Sequence, residues 1–217
     1  PIFLTGENFF NISPELYKTA AIQYPNPKEL FGFMEDSMPD RWGKALIKRK
    51  LGRSIDKLDA LLEIDDFARM GALRFYDKTG PLSQNSNIPT IKNIRDLQNL
   101  VNKSDDLTAD ITELFDPGAP LGGARPKAGI MDNGALKMAK FPKSDDEYNV
   151  EAWEKTMLDL ASQLDINVPE SEIMYTPLSK FGVLILERFD RQNGHRQAYM
   201  SAMTAIQASD NEDTNSY

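Results

Sequence analysis

Leu121-Gly122-Gly123-Ala124-Arg125-Pro126-Lys127-Ala128, followed by Asp132-Asn133-Gly134 and by the apolar run Leu136 to Phe141, is the stretch on which the fold turns. Asn-Gly between two apolar runs signals a hairpin, because both central positions of the tight turn need positive φ. A glycine-rich loop, reaching back to Gly118, therefore leads into a hairpin whose second strand carries Lys140. Beyond it, Asp145 and Asp146 are expected to open a helix with Trp153, Met157, Leu160, Ala161 and Leu164 as its apolar stripe. At about 100° per residue, Glu154 falls on the border of that stripe, roughly 60° from Met157, and Glu151 lies further round toward solvent. After Pro169 comes another apolar run, Val183-Leu184-Ile185-Leu186, which ends in Glu187-Arg188-Phe189-Asp190-Arg191.

The order of these pieces has a chemical reading. A glycine backbone can approach phosphates and offer N–H donors. A strand lysine can pair their oxygens, a helix glutamate can hold that lysine, and a strand edge can present backbone groups to a purine. Those are the parts of the upper half of a kinase nucleotide site. Each part also has a plain reading. Gly-Gly turns near lysines are common, strand lysines are usually solvated edge residues, and Glu154 could be a surface charge. Periodicity and spacing alone reach an α+β protein with a candidate anion site.

Upstream, residues 1–35 mix short apolar runs with Pro14, Pro25 and Pro27 and read as strand and loop. Ser37 before Pro39, with Trp42, Ala45 and Leu46 following, predicts a capped helix with proline in its first turn. Ser54 is the expected cap of a second helix with Leu58, Leu61 and Leu62 on one face, and 70–77 reads as a short strand. Residues 79–90 carry Gly80, Pro81 and Pro89 among Ser and Asn, which marks a loop. Ile91, Ile94, Leu97, Leu100 and Val101 mark a third amphipathic helix.

Composition narrows the function classes. The chain has 217 residues, 41% apolar, enough for one large domain or two small ones. No apolar run of about 18 residues predicts a membrane span, and no signal peptide opens the chain. The first residue is Pro1, so sequence upstream of it is expected. The absence of cysteine removes disulfides, cysteine-based zinc sites and cysteine nucleophiles, and fits a cytoplasmic protein. A net charge of −8 disfavours general nucleic-acid binding. His195, the single histidine, has neither a triad nor metal-ligand spacing around it and reads as a polar loop residue. The acidic stretch 209–213 and the basic cluster Lys48, Arg49, Lys50 and Arg53 read as solvated segments.

Five stretches, in order, carry a resemblance. Leu30-Phe31-Gly32-Phe33 with Asp36-Ser37-Met38-Pro39-Asp40-Arg41-Trp42-Gly43, then Leu121 to Ala128, Ala139-Lys140-Phe141-Pro142, Asn167-Val168-Pro169, and Glu187 to Arg191 together resemble the HipA family of serine/threonine kinase toxins. The resemblance runs from about residue 30 to about residue 204. It implies an α+β, HipA-like fold. Residues 1–80 would be the small N-terminal subdomain, 81–117 a linker and helix, and 118–217 a kinase-like N-lobe with a mixed sheet, the hinge and the start of the C-lobe.

Members of that family transfer the γ-phosphoryl of ATP to serine or threonine, some on aminoacyl-tRNA synthetases. Most are paired with a HipB-type, DNA-binding antitoxin. By the same resemblance, Gly122, Gly123, Ala124 and Lys127 would lie near the phosphates of ATP and Lys140 would contact them, with Glu154 as its partner. Glu187 and Phe189 would meet adenine through their backbone, and Asp190 would reach the ribose. The family's catalytic Asp, the Asn after it and the metal-binding Asp come later than the hinge. Asp210 and Asp213 lack their context, so no catalytic residue and no magnesium ligand is expected before Tyr217. An Asp-x-His-x-x-Asn-like loop is expected downstream. The family's autophosphorylated serine is replaced by Pro120, with Thr112 a distant substitute. The alternative reading is a catalytically dead module that engages a partner or antitoxin. Neither reading includes a membrane or direct nucleic-acid contact.

Overall fold

The computed structural model describes residues 12–17, 21–25, 30–83, 88–104 and 125–208. The sequence-expected glycine loop 118–124, Thr112, Pro120 and the acidic stretch 209–217 lie outside the described residues.

The predicted hairpin forms: β1 (Lys127–Asp132) and β2 (Ala135–Lys140) pair in antiparallel register from Lys127↔Lys140 to Asp132↔Ala135. Asn133 at φ 47° and Gly134 at φ 81° make the turn, the two positive values the sequence called for. With β3 (Ser171–Met174) and β4 (Val183–Glu187) the sheet runs β1-β2-β4-β3 and is antiparallel throughout. Its parallel contact is the isolated bridge Thr90↔Met131. A two-stranded ribbon, β5 (Arg191–Gln192) and β6 (His195–Arg196), follows β4.

Directly paired residues share a face, so Ala128, Ile130, Ala139, Val183 and Ile185 line one side of the sheet and Lys127, Met138, Lys140, Leu184 and Leu186 the other. The first side is covered by α2 (Arg41–Leu51) and α4 (Ile94–Lys103), whose Leu46, Ile94, Leu97 and Val101 join the strand residues in the main apolar cluster. The third expected helix is therefore present, begun by a 3₁₀ turn at Ile91–Asn93.

Several local expectations give way. The cap of α2 is Asp40, which accepts from the Gly43 N–H at 2.7 Å; Ser37 instead donates to Phe33 O and closes α1 (Gly32–Glu35), inside the stretch read as strand and loop. α3 (Lys57–Leu62) is capped by Asp56 in a capping box with Asp59, not by Ser54, and Leu58 is exposed while Leu61 is buried. Residues 70–77 form no strand beyond the single bridge Tyr76↔Pro81. α5 begins at Val150, capped by Asn149, rather than at Asp145 and Asp146, because Asp146 is occupied by Arg125 and by the Lys143 N–H. At α2 and α3 an aspartate thus caps the helix in place of the serine two or three residues before it, and at α5 an asparagine does so in place of the earlier aspartates.

A short α6 (Ala202–Ala205) closes the described chain. No helix among the described residues is long and apolar enough to cross a membrane.

Candidate functional site

On the sheet face away from α2 and α4, Lys140 extends from the end of β2 and forms an ion pair with Glu154 of α5. Both remain partly exposed, at 24% and 36% of their side chains, so the pair stays open to a ligand. Lys127 sits directly across from Lys140 on β1, almost fully buried, with its Nζ 3.0 Å from Asp40 Oδ2. Burial pushes the Lys127 ammonium down and the Asp40 carboxyl up; each charge holds the other ionised against that pressure. Asp40 thus does two jobs, capping α2 and anchoring the strand that leaves the glycine loop.

The base of α5 is fixed by Arg125, which pairs with Asp146 and, at 3.0 Å, with Glu151. The hydrogen bond from Arg125 holds the Asp146 carboxyl below the usual carboxylate range, whereas burial pushes that of Glu151 up. Glu151 is only 2% exposed, contrary to its expected solvent position. The helix is turned so that Glu151 is buried and Glu154, Lys155, Leu158 and Ala161 are half-buried, while Trp153, Met157, Leu160 and Leu164, four of the five residues of the expected buried stripe, are 48–73% exposed. The ion pairs to Arg125 and Lys140 set that rotation. Arg125, Asp146, Glu151 and Asp40 are the residues that sequence reasoning missed; a signal for them was the crowding of charges on both sides of the hairpin.

At the far end of β4, Glu187 is exposed and its N–H donates to Glu170 O at 2.9 Å. The Phe189 ring is 58% exposed and tilts against Tyr199, with centroids 5.6 Å apart. Asp190 has no exposed surface; its carboxylate accepts from Arg188, Arg191 and the Gly71 N–H. Burial pushes that carboxyl up, but the two guanidiniums and the Gly71 N–H more than offset it and hold it below the usual range. Lys127, Lys140 and Glu154 are thus brought to one end of the sheet face that α5 packs on, and Glu187, Phe189 and Asp190 to the exit of β4; Gly122, Gly123 and Ala124 lie outside the described residues. His195 is exposed on β6, as a polar loop residue would be. Of the basic cluster, Lys50 pairs with Glu63 and Arg53 with Asp59.

Residues 119–217 match the family described as the HipA-like C-terminal domain. Over that stretch the chain is similar to the HipA-like C-terminal domain. A chain in the solved complex of the Shewanella oneidensis MR-1 toxin–antitoxin system HipA, HipB and its operator DNA has the same fold, with a TM-score of 0.53 at 21% identity. The match covers 82% of this chain and 44% of that one, so this chain spans less than half the length of the solved HipA-like relative. None of the curated proteins matches it by sequence. The matched HipA-like residues contain the hairpin, Lys140, Glu154 and the hinge, while Asp40 and the Gly71 loop come from the segment before it.

Proposed function

We propose that this chain forms the nucleotide-binding portion of a HipA-type serine/threonine kinase toxin. The observation that carries the reading is the partly exposed strand lysine held by a helix glutamate, Lys140 with Glu154, on the α5 side of a sheet whose last central strand runs out into the segment read as the hinge. In such a site Lys140 binds ATP phosphate oxygens and Glu154 keeps its ammonium pointed at them. The pair fits that task because Lys140 is charged, half-shielded from water and fixed in direction before a ligand arrives. Lys127, across the hairpin, adds positive potential at the same end of the sheet. Adenine would be read by the backbone at Glu187 and Phe189; the Glu187 N–H already serves Glu170, so a purine contact there falls to its carbonyl.

Among the described residues no three His, Cys, Asp or Glu side chains gather where they could hold a metal. None of them is assigned to magnesium, which in phosphoryl transfer neutralises charge on the phosphates. The reading further takes the target to be a protein serine or threonine, with an aminoacyl-tRNA synthetase as a candidate. It also takes a HipB-like DNA-binding protein as the antitoxin. The HipA–HipB–operator complex of the solved relative supports that partner. Work in the cytoplasm follows from such targets.

The test uses the protein expressed from its complete gene in a host without the antitoxin. Lys140→Ala is expected to relieve growth arrest and to abolish target phosphorylation while leaving the melting temperature near that of the parent. Arrest that persists in a folded Lys140→Ala protein would remove Lys140 from the site and the reading with it.

A further inference from the structure

Besides the apolar packing of α2 and α4 on the sheet, polar groups of the segment before the hairpin reach the nucleotide half at several places, three of which bear on the site. Asp36 accepts from the Ser201 N–H at 2.8 Å and from the Thr204 hydroxyl at 3.0 Å, pinning the start of α6. Asp40 holds Lys127. The third place is the densest. From the hinge, Arg188 donates to Ala68 O at 2.7 Å and Arg69 O at 3.3 Å, and Arg191 to Phe67 O at 2.9 Å and Arg69 O at 2.7 Å. In return the Gly71 N–H donates to Asp190 at 2.7 Å.

The two guanidinium forks are therefore clamped between the Asp190 carboxylate and the carbonyls of one tight loop, 67–71. All three hinge side chains are nearly closed to water, at 0% for Arg188 and Asp190 and 13% for Arg191. A guanidinium is planar and cannot drop its charge, so a shift of the loop must either move the forks or leave a buried ion unpaired. Only Phe189 separates Arg188 from Asp190, so moving the forks moves the backbone that carries it.

Gly71 couples the loop to the hinge a second time. Its φ is +73°, and a Cβ there would stand 3.0 Å from Tyr199 Cβ, the residue on which the Phe189 ring rests. We infer that the loop Phe67–Gly71 is a brace that positions the hinge 187–191, with Arg191 and Gly71 as its positioning residues. The brace stands on geometry alone; its effect on ATP rests on the kinase reading above.

The experiment compares three variants in the protein expressed from its complete gene. Gly71→Ala strains the loop without removing a charge, and Arg191→Lys keeps the charge but loses the fork. Leu61→Ala destabilises the same segment from its core: the wholly buried Leu61 side chain packs with Met38 and Ala60, and its carbonyl, which accepts from Arg69 at 2.8 Å, is kept by the substitution. Hydrogen exchange at the amides of 187–191 is read beside the KM and kcat for ATP. Gly71→Ala and Arg191→Lys are each expected to speed hinge exchange by about tenfold or more. They should raise KM by about tenfold with kcat within about threefold of the parent, while Leu61→Ala, at matched or greater loss of stability, moves neither. Hinge exchange unchanged in both variants overturns the brace. So does an equal change in Leu61→Ala, since that would be general loosening. A parent that neither binds ATP nor phosphorylates a protein overturns the kinase reading instead, and the exchange rates still decide the brace.

Discussion

Lys140 is one of several charges on the hairpin, and what sets it apart is its partner. A surface lysine replaced by alanine changes stability by no more than about 0.5 kcal/mol. Lys140 is instead held by Glu154, and removing one preorganised electrostatic contact of this kind typically costs about 10²-fold or more in turnover. On the kinase reading proposed above, Lys140→Ala should therefore lose about that much phosphorylation rate while its melting temperature stays near the parent's, measured on the protein from the complete gene. Gly182 makes the opposite case, a residue that matters only for packing. An added Cβ would come within 2.3 Å of Ile173 Cγ2, a branch that cannot swing away from the β3 edge. Gly182→Ala should cost roughly 1–3 kcal/mol by urea unfolding, the usual cost of overpacking.

At the scale of the element, α5 shows how charge can overrule periodicity. Its apolar stripe points outward, and its inward face is fixed by Glu151 to Arg125 and Glu154 to Lys140. Met157→Gln and Leu160→Gln should each change the unfolding free energy by less than about 0.5 kcal/mol, since neither side chain leaves a packed interior. Glu151→Ala should cost about 1–3 kcal/mol, because it removes a charged partner from a half-buried guanidinium. A urea titration of the three variants reads both outcomes; equal losses in all three would mean that the helix is packed the other way round. Of the secondary structure, the hairpin and α4 were legible because Asn133-Gly134 and the Ile94-Leu97-Val101 spacing are signals that need no partner. The caps at Asp40, Asp56 and Asn149 were not, because several nearby Ser, Asp and Asn residues compete and only the folded backbone decides between them.

For the molecule as a whole, the buried Asp190 ties acid sensitivity to the junction between its two halves. Its folded carboxyl lies below the ordinary value of 3.8. The stabilisation it gives is therefore complete above that value and is lost as pH falls through the lower, folded one. Asp146, lowered first by its hydrogen bond from Arg125, has the same sign. Stability measured by urea midpoint should fall steeply below about pH 4, and in Asp190→Asn that acid limb should be shallower, although the variant is less stable at pH 7.

The sequence by itself determined the hairpin, the α+β class and the order of pieces that resembles the HipA family, because each is written in adjacent residues or in turn chemistry. The pairing of Lys140 with Glu154 was legible only through that resemblance, and the structure brings the two side chains together. Only the tertiary structure decided that Glu151 is buried and the Trp153–Leu164 stripe exposed, that Asp40 meets Lys127, and that Asp190 is locked under loop 67–71. The last two join residues 87 to 124 positions apart, whereas Glu151 meets Arg125 across 26. Hydrophobic periodicity ranks the faces of one element against water. Which face is finally buried depends on the charges that other elements bring to it, and the pattern within one element does not carry that information.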